Sequence, residues 1–554
     1  MRRTNVAVLA VALGWGALAG GARAYAQPRP DEQSMFGGPA AAPAPPPAPP
    51  AEENKAPATP ATPPSAPSTA PPAAINQPAP TSAPPAPAPV GTDRDRFVLG
   101  DPNADTKLGA DAAPDNPLTI GGQLYLRAQS SVPMHTDPKN WSFTAPSLTD
   151  AFFDARPNER VRVYILGRMS FDPTAAPASS STTSAATMST GGNPNGATTP
   201  ATGFSTVASG RGPSALLDQM WMSFDIEHKA FITAGKQHVK WGTGHVWTPT
   251  DYLHPTKRNP LDTFDVRGGV SMVRLQVPWE SQASNFYAFA VFEDPLLASN
   301  TAGSIAGAAR AELVILGAEL GLDVFAKRGQ KPRFGVDLST GIGDFDVYGD
   351  AGIRYGQDFA VVDSGSLDAF VAANPQLKDP SANLSIGSLN PPPDPPRLSG
   401  VKTQVVGGVS WSHKYNDNDL FTIGGEYFYN QAGYSDRNLY PTHLLYQYLR
   451  PDLPMANFFY LGRHYAALTL SLPAPYSWNY TTFTVSTLGN LSDGSYVSRL
   501  DYAVTFLTHL TFQAFVAVHY GQEGGELRFH VQNNPFFAVP TPLMDLGVAL
   551  RLKF

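Results

Sequence analysis

The sequence predicts an all-β fold, a transmembrane antiparallel up-and-down β-barrel, from three observations. From residue 118 onward, apolar and polar residues alternate with period two, which is the pattern of strands with one apolar face. The polar face carries charges deep inside the strands. Long and short connections alternate along the chain, as they do in barrels that collect their long loops at one end.

The direction of the apolar face separates two architectures. In LTIGGQLYLRAQ the side chains of Leu118, Ile120 and Leu124 fall on one face, and those of Tyr125 and Arg127 fall on the other. A soluble sandwich would bury the apolar face in a core, whereas a membrane barrel exposes it to lipid and keeps the polar face inside. Charged strands such as FDVYGDAGIRY, together with the loop pattern, favour the membrane barrel.

About eighteen strands are expected, and an even number places both ends of the barrel on one side of the membrane. The weak members are the 148–156 segment and the pair flanking Gly317, and merging two pairs would give sixteen strands, the alternative. The predicted strand starts lie near residues 118, 148, 160, 214, 229, 268, 284, 306, 318, 332, 344, 400, 419, 463, 479, 495, 509 and 544.

The strand count also sorts the connections into two groups. The short turns RPNE, EHK and YNDND are expected on the periplasmic side. The long segments all fall on the opposite, extracellular side: 131–147, 172–213, 238–267, 357–399, 431–462 and 521–543.

The barrel, residues 118–554, is preceded by two segments of different composition. Residues 1–26 combine two arginines, an apolar run and Ala24-Tyr25-Ala26, which predicts a secretory signal peptide. Residues 27–117 are rich in Pro and Ala and predict a disordered periplasmic tether that favours polyproline II. Its Pro/Ala-rich core would reach on the order of 150 Å, so the cell wall is a candidate partner.

Composition narrows the classes of function. The chain has no cysteine, so disulfide and thiolate chemistry are not expected. Its net charge is −7 and it lacks the clustered positive charge of a nucleic-acid-binding protein. The motifs of a nucleophile elbow, a phosphate-binding loop and a zinc protease are missing from the sequence, so no catalytic residue or cofactor is predicted.

The stretch GKQHVKWGTGHVWTPTDYLHP stands out by its residue types. Three histidines and Asp251 suggest a metal site, but their spacing matches no compact metal motif, and no metal is predicted. Glycine, proline and tryptophan favour a structured loop, and a loop over 238–267 is long enough to fold into the lumen and narrow it. The expected constriction residues are Trp241, His245, Trp247, Asp251, Lys257, Arg258, Asp262, Asp265 and Arg267.

The lumen is expected to carry two groups of charge. Arginines cluster on the early strands and carboxylates on the middle strands, which would stand across the pore and create a transverse field. The alternative is charges that pair within each wall. The expected lumen charges are Arg127, Arg160, Arg162, Arg168, Glu319, Asp323, Asp337, Asp346 and Asp350.

The final stretch, MDLGVALRLKF, resembles the C-terminal signal of Gram-negative outer-membrane β-barrel proteins, which ends in an aromatic residue, here Phe554. The segments GKQHVKWGTGHVWTPTDYLHP, RGGVSMVRLQVP, LGRHYAALTLSLPAP and NLSDGSY are similar to uncharacterised outer-membrane barrel proteins. The resemblance implies a place in the outer membrane, contact with its lipid, and insertion by the barrel-assembly machinery through the last strand.

These features predict a porin-like channel that passes small hydrophilic solutes by diffusion through a lumen narrowed by residues 238–267. Two alternatives stay open: a membrane-embedded lipid-modifying enzyme, and a surface adhesin or scaffold barrel. The sequence leaves open the solute, the pore size, an open or plugged lumen, and whether the barrel forms a homotrimer.

Overall fold

The computed structural model describes residues 117–554 except for a set of loop residues. The predicted signal peptide and all but the last residue of the predicted tether lie outside the described residues. Within the described ranges, no helix is both long and apolar enough to cross a membrane. The residues left out after 117 are 176–212, 255–256, 262–266, 293–303, 357–358, 379–388, 397, 417–418, 451, 454, 477, 479, 508 and 532–538.

The described residues form one antiparallel sheet that closes on itself. Eighteen strands build the barrel, and the short β2 pairs with the end of β1. The strands are β1 Leu118–Pro133, β2 Ser142–Thr144, β3 Ser147–Asn158, β4 Val161–Phe171, β5 Ser214–Ile226, β6 Ala230–Gln237, β7 Val270–Trp279, β8 Ser284–Val291, β9 Ala306–Ile315, β10 Ala318–Lys327, β11 Arg333–Ile342, β12 Phe345–Tyr355, β13 Val401–Lys414, β14 Leu420–Asn430, β15 His464–Pro473, β16 Thr481–Asn490, β17 Ser495–Phe506, β18 Leu510–Gly521 and β19 Pro542–Lys553.

The predicted fold class and strand number are confirmed. The barrel closes where β1 pairs with β19, from Gln123 opposite Lys553 to Pro133 opposite Pro542. Each predicted start lies within about two residues of a barrel strand, and the sixteen-strand alternative is wrong.

The turn between β9 and β10 explains why the sequence left this pair uncertain. Ile315 pairs with Ala318, so only two residues form the turn. Leu316 and Gly317 have φ values of 53° and 83°, and two positive values belong to a type I′ hairpin turn. Leucine stands where Asn or Asp usually precedes glycine in such a turn, so the residue types do not predict the turn.

The two faces of the barrel follow the predicted alternation. On β1 and its neighbour β19, Leu126 and Val548 point outward and are 43% and 47% exposed, whereas Tyr125 and Arg127 point inward and are buried. The outer face is therefore apolar and the inner face is largely polar, which is the arrangement of membrane barrels.

Exposed aromatic residues form two bands around the outer face. On β12, Phe345 and Tyr355 stand ten residues apart in opposite bands, a separation of roughly 25 Å along the barrel axis for a tilted strand. At the end with the short turns the band holds Trp279, Phe345, Tyr476, Trp478, Tyr480, Phe506 and Phe554, and at the opposite end it holds Phe171, Phe292, Tyr355, Tyr427 and Tyr520.

The two ends of the barrel differ in the length of their connections. One end, the short-turn end, carries the connections 159–160, 227–229, 280–283, 316–317 and 343–344, and those after β13, β15 and β17. The described parts of the long segments predicted from the sequence lie at the other end, the long-loop end.

In the described part of the chain, two α-helices lie in the loops of the long-loop end. Helix α1, Ser364–Ala373, begins with a capping box in which Asp363 accepts from the N–H of Ser366. Helix α2, Tyr440–Leu449, follows β14. These loops and the one after β18 share an apolar cluster and are called the cap; the cluster contains Val362, Tyr434, Tyr440, Leu444, Tyr446, Met455, Leu461, Phe529, Val531 and Val539.

Candidate functional site

The connection between β6 and β7 spans residues 238–267, and its described part turns into the barrel and is called the inward loop. Its side chains and backbone hydrogen-bond to β10, β11, β12 and β14. Seven strands separate β6 from β14 on one side of the barrel and nine on the other, so the two strands stand nearly opposite each other. The inward loop therefore crosses the lumen close to its diameter.

The first anchor of the inward loop joins it to β10 and β12. The indole N–H of Trp241 donates to Asp323, and the Thr250 hydroxyl donates to Asp350 at 3.1 Å. Gly242 makes this approach possible, because its φ is +94° and a Cβ there would lie 2.3 Å from Oδ2 of Asp350. Trp241 and Thr250 are both buried.

The second anchor is a carboxylate held by consecutive backbone N–H groups. Glu426 on β14 accepts from the N–H of His245 at 2.8 Å, of Val246 at 3.1 Å and of Trp247 at 2.8 Å. The Tyr348 hydroxyl adds a fourth donor at 3.0 Å. Successive N–H groups that converge in this way form an anion-binding nest. The buried charge of Glu426 is thereby stabilised, and this section of the loop is fixed to the far wall.

The third anchor is the side chain of Trp247, which is fully buried. Its ring packs against Phe428 and Tyr465, with centroids 5.4 and 5.6 Å away. Its indole N–H donates to the carbonyl of Phe459 at 3.1 Å, which satisfies the polar atom that burial would otherwise leave unpaired.

Two of the three histidines of the inward loop, His238 and His254, bind carboxylates. His254 Nδ1 lies 3.0 Å from Asp251, and His238 Nε2 lies 2.9 Å from Asp218 on β5. The two imidazole rings stack at 5.8 Å. Burial alone would raise the pKa of Asp251, but His254, Lys257 and Arg267 lower it below its usual value. Among the described residues, no group of three or more His, Cys, Asp or Glu side chains could hold a metal ion.

The other predicted constriction residues lie on the same loop. His245 is half-buried, with its ring 4.3 Å from that of Tyr348. Lys257 donates to the carbonyl of Asp251 at 2.6 Å, and Arg267 lies 3.3 Å from the Asp251 carboxylate. Arg258 is half-buried. Asp262 and Asp265 lie outside the described residues.

The predicted arginines of the early strands are paired within their own wall. Arg162 binds Asp154 at 2.7 Å, and Arg168 binds Asp150 at 2.9 Å. Arg127 faces the lumen beside the Phe515 ring. The expectation for Arg160 is wrong, because this residue lies exposed in the turn between β3 and β4 instead of on a lumen-facing strand.

Two of the predicted carboxylates of the middle strands, Asp323 and Asp337, also have an ionic partner in their own wall. Arg310 on β9 binds Asp323 at 2.7 Å and Asp337 at 2.6 Å. Glu319 and Asp346 share the lumen-facing side of their strands and are half-buried near the short-turn end. The expectation of two opposed, unpaired rows of charge is not met, because arginines and carboxylates in both walls form ion pairs within their own wall.

Sequence reasoning missed three residues that organise the site. Glu426 was visible as the lone charge in FTIGGEYFYN, and Arg310 as the lone cation in GAARAELVI. Phe459 lies in the cap, where no periodic pattern signals a role.

Comparisons with known proteins return only distant structural similarity. No protein-family model and no curated protein matches the chain. The chain is similar to OccAB1 of Acinetobacter baumannii (8% identical, TM-score 0.44, covering 81% of this chain and 99% of that one). It is also similar to a BenF-like porin from Pseudomonas fluorescens (10%, 0.41, 78% and 98%) and to a triple mutant of a Rhodopseudomonas blastica porin (10%, 0.34, 79% and 100%). Similarity at this level assigns no function.

Proposed function

We propose that the protein is a porin-like channel of a Gram-negative outer membrane, through which small hydrophilic solutes diffuse. The observation that carries the proposal is the inward loop, which crosses a closed eighteen-strand barrel and is anchored on the far wall by Glu426. A barrel of this size encloses more space than wall side chains alone can fill, so a fixed loop inside it sets the width of the path.

The outer face supports a membrane location. Its apolar residues lie between two aromatic bands, and their separation matches the apolar height of outer-membrane barrels, about 25 Å. The long-loop end then faces the outside of the cell and the short-turn end faces the periplasm, with outer-membrane lipid around the barrel.

The inner face supports diffusion of polar solutes. Buried charges such as Arg162 with Asp154 and Arg168 with Asp150 line the wall opposite the anchors of the inward loop. Because these ion pairs are satisfied within the wall, they offer a polar surface without a strong net field. We propose that the predicted constriction residues of the inward loop narrow the lumen.

Conductance of the purified chain in planar lipid bilayers tests the proposal. We expect discrete current steps in salt solution from folded protein. Folded protein that inserts into the bilayer and passes no ions would contradict the channel.

The substitution Glu426→Gln tests the role of the inward loop. An amide NH₂ replaces one acceptor oxygen and faces backbone N–H donors, which we expect to weaken the anchor by about 1–3 kcal/mol. Single-channel conductance should rise as the loop leaves the far wall. The matched control is Glu280→Gln, the same chemical change at an exposed turn residue, which should leave conductance unchanged.

One described cluster, formed by Ser131, His519 and Asp545, does not support the enzyme alternative. His519 and Ser131 both bind Asp545, and His519 lies 2.8 Å from it. Because the carboxylate lies between the hydroxyl and the imidazole, His519 is not placed to take the proton of Ser131, as a nucleophilic triad requires. The adhesin alternative depends on residues 174–203, most of which lie outside the described residues.

Three partners are proposed: the barrel-assembly machinery, the cell wall and further copies of the same chain. We propose that the β1–β19 seam, where Phe554 and Gly122 exchange backbone hydrogen bonds of 2.8 and 3.1 Å, presents the terminal strand to the barrel-assembly machinery. Contact of residues 27–117 with the cell wall and association into a homotrimer stay proposals that copurification and native mass measurement would test.

A further inference from the structure

A second carboxylate cradle lies in the cap, at the long-loop end of β15 and β16. Glu526, between β18 and β19, is buried and accepts from the N–H groups of Phe459 and Leu461. The Tyr465 hydroxyl donates to it at 2.5 Å and the Asn490 amide at 2.7 Å. Four donors from three segments of the chain therefore meet on one side chain.

The peptide groups of Phe459 connect this cradle to the inward loop. Its N–H donates to Glu526, and its carbonyl accepts from the indole N–H of Trp247 at 3.1 Å. Phe459 has a φ of 72°, a left-handed conformation that a bulky side chain adopts only where its surroundings enforce it. Its backbone is thus held in the orientation that serves both hydrogen bonds.

Tyr465 provides a second connection between the same two residues. Its ring packs on Trp247 with centroids 5.6 Å apart, and its hydroxyl donates to Glu526. Glu526 and Trp247 are therefore connected in two ways, through Phe459 and through Tyr465, and each connection passes through a single residue.

We propose that Glu526 is a positioning residue for the inward loop, which it holds through Phe459 and Tyr465. The cap and the inward loop then move as one unit, and a change in the cap alters the narrow part of the lumen. This inference rests on the proposed function where it is tested by conductance. The test by thiol modification of the inward loop does not depend on the proposed function.

A single introduced thiol tests the inference, because the chain has no cysteine of its own. Thr248→Cys places the thiol next to Trp247 on a half-buried position of the inward loop. Its rate of modification by a small charged thiol reagent reports how often the loop leaves the wall. In a Glu526→Gln background we expect modification about fivefold faster, as an amide donor replaces an acceptor in the cradle.

The matched control is Glu523→Gln, the same change three residues away on an exposed side chain of the same connection. We expect this background to leave the rate unchanged. Tyr465→Phe, which removes one donor and keeps the ring on Trp247, is the milder second variant and should give an intermediate rate. Single-channel recordings should show more frequent current substates in Glu526→Gln than in Glu523→Gln.

Two results separate the inference from the proposed function. Equal modification rates in Glu526→Gln, Tyr465→Phe and Glu523→Gln would overturn the positioning role of Glu526. Absence of conductance in the unmodified protein would overturn the channel, and the thiol rates would still decide whether Glu526 positions the inward loop.

Discussion

Arg310 on β9 and Asp337 on β11 meet across the face of β10, with Nη1 of the guanidinium 2.6 Å from Oδ2 of the carboxylate. The same guanidinium binds Asp323 at 2.7 Å and Glu312 at 2.8 Å. Three carboxylates on three strands thus share one buried cation, and one of them, Asp323, is also the acceptor for the inward loop's Trp241.

Replacement of Arg310 by Met should destabilise the barrel strongly. The substitution leaves carboxylates buried without their counter-charge, and breaking a buried ion pair from one side costs about 3–5 kcal/mol. Urea unfolding of the protein in detergent micelles, followed by loss of β-sheet circular dichroism, measures the change. Lys139→Met, at an exposed pair with Asp137, should cost less than about 1 kcal/mol. A loss for Arg310→Met as small as that of the control would contradict the prediction.

Gly242→Ala should displace the inward loop without a change of charge. The added Cβ would lie 2.3 Å from Oδ2 of Asp350 and 2.7 Å from the Thr250 hydroxyl, and the φ of +94° is costly for alanine. We expect a conductance that differs from wild type, and a stability loss of about 1–3 kcal/mol. Gly307→Ala, on an outward position with no atom within 4 Å, is the matched control. Identical single-channel currents in the two variants would rule out a close fit at Gly242.

The cap should loosen as the pH falls below 6.5, because of His443 on α2. This residue is buried, and burial lowers its pKa from 6.5 to about 4. Its Nε2 donates to the carbonyl of Ala456 at 2.8 Å, and its Nδ1 accepts from the Tyr434 hydroxyl at 2.9 Å. With a lowered pKa, the neutral imidazole stabilises the docked helix above pH 6.5, and this stability is lost as the pH falls from 6.5 to about 4.

Hydrogen exchange of the amides of α2 measures the effect of His443. Protection should fall by an amount equivalent to about 3 kcal/mol across that pH window. Glu526, whose pKa burial raises to about 7, acts in the opposite direction, since its contribution is lost as the pH rises toward 7. His443→Asn removes only the histidine contribution. If wild type and His443→Asn lose protection in parallel between pH 6.5 and 4, His443 is not the titrating group.

The barrel could be predicted from the sequence because its signal is local and repeated. Alternation in a segment such as VKTQVVGGVSW fixes both the strand, Val401–Lys414, and the face that each side chain takes. The parity of the strand count then places every long loop at one end without knowledge of any contact. The least certain strand boundary was the turn at Leu316 and Gly317. Both residues have positive φ values, but leucine is not a residue type that signals such a turn.

The contacts inside the lumen could not be predicted in the same way. The period of a strand tells that Glu426 points inward, but its partners are backbone groups about 180 residues earlier in the chain. Backbone N–H groups carry no residue identity, so the nest has no sequence signature. Charge counting along the strands likewise missed Arg310 and thus suggested an unpaired acidic wall. Ion pairs form between side chains on neighbouring strands. The sequence tells which strands are neighbours, but not which residues on them lie opposite each other.

The seam between β1 and β19 joins the first strand of the barrel to the last, and it has a consequence for the order of assembly. The hydrogen-bond partners of the inward loop's Trp241, Thr250 and Trp247 are Asp323, Asp350, Glu426 and Phe459, and all of them precede β19 in the chain. An unclosed sheet that lacks β19 already contains every one of these contacts. The inward loop can therefore bind its partners while the barrel is still open. Pairing of β19 with β1 then closes a barrel whose lumen already contains the docked loop.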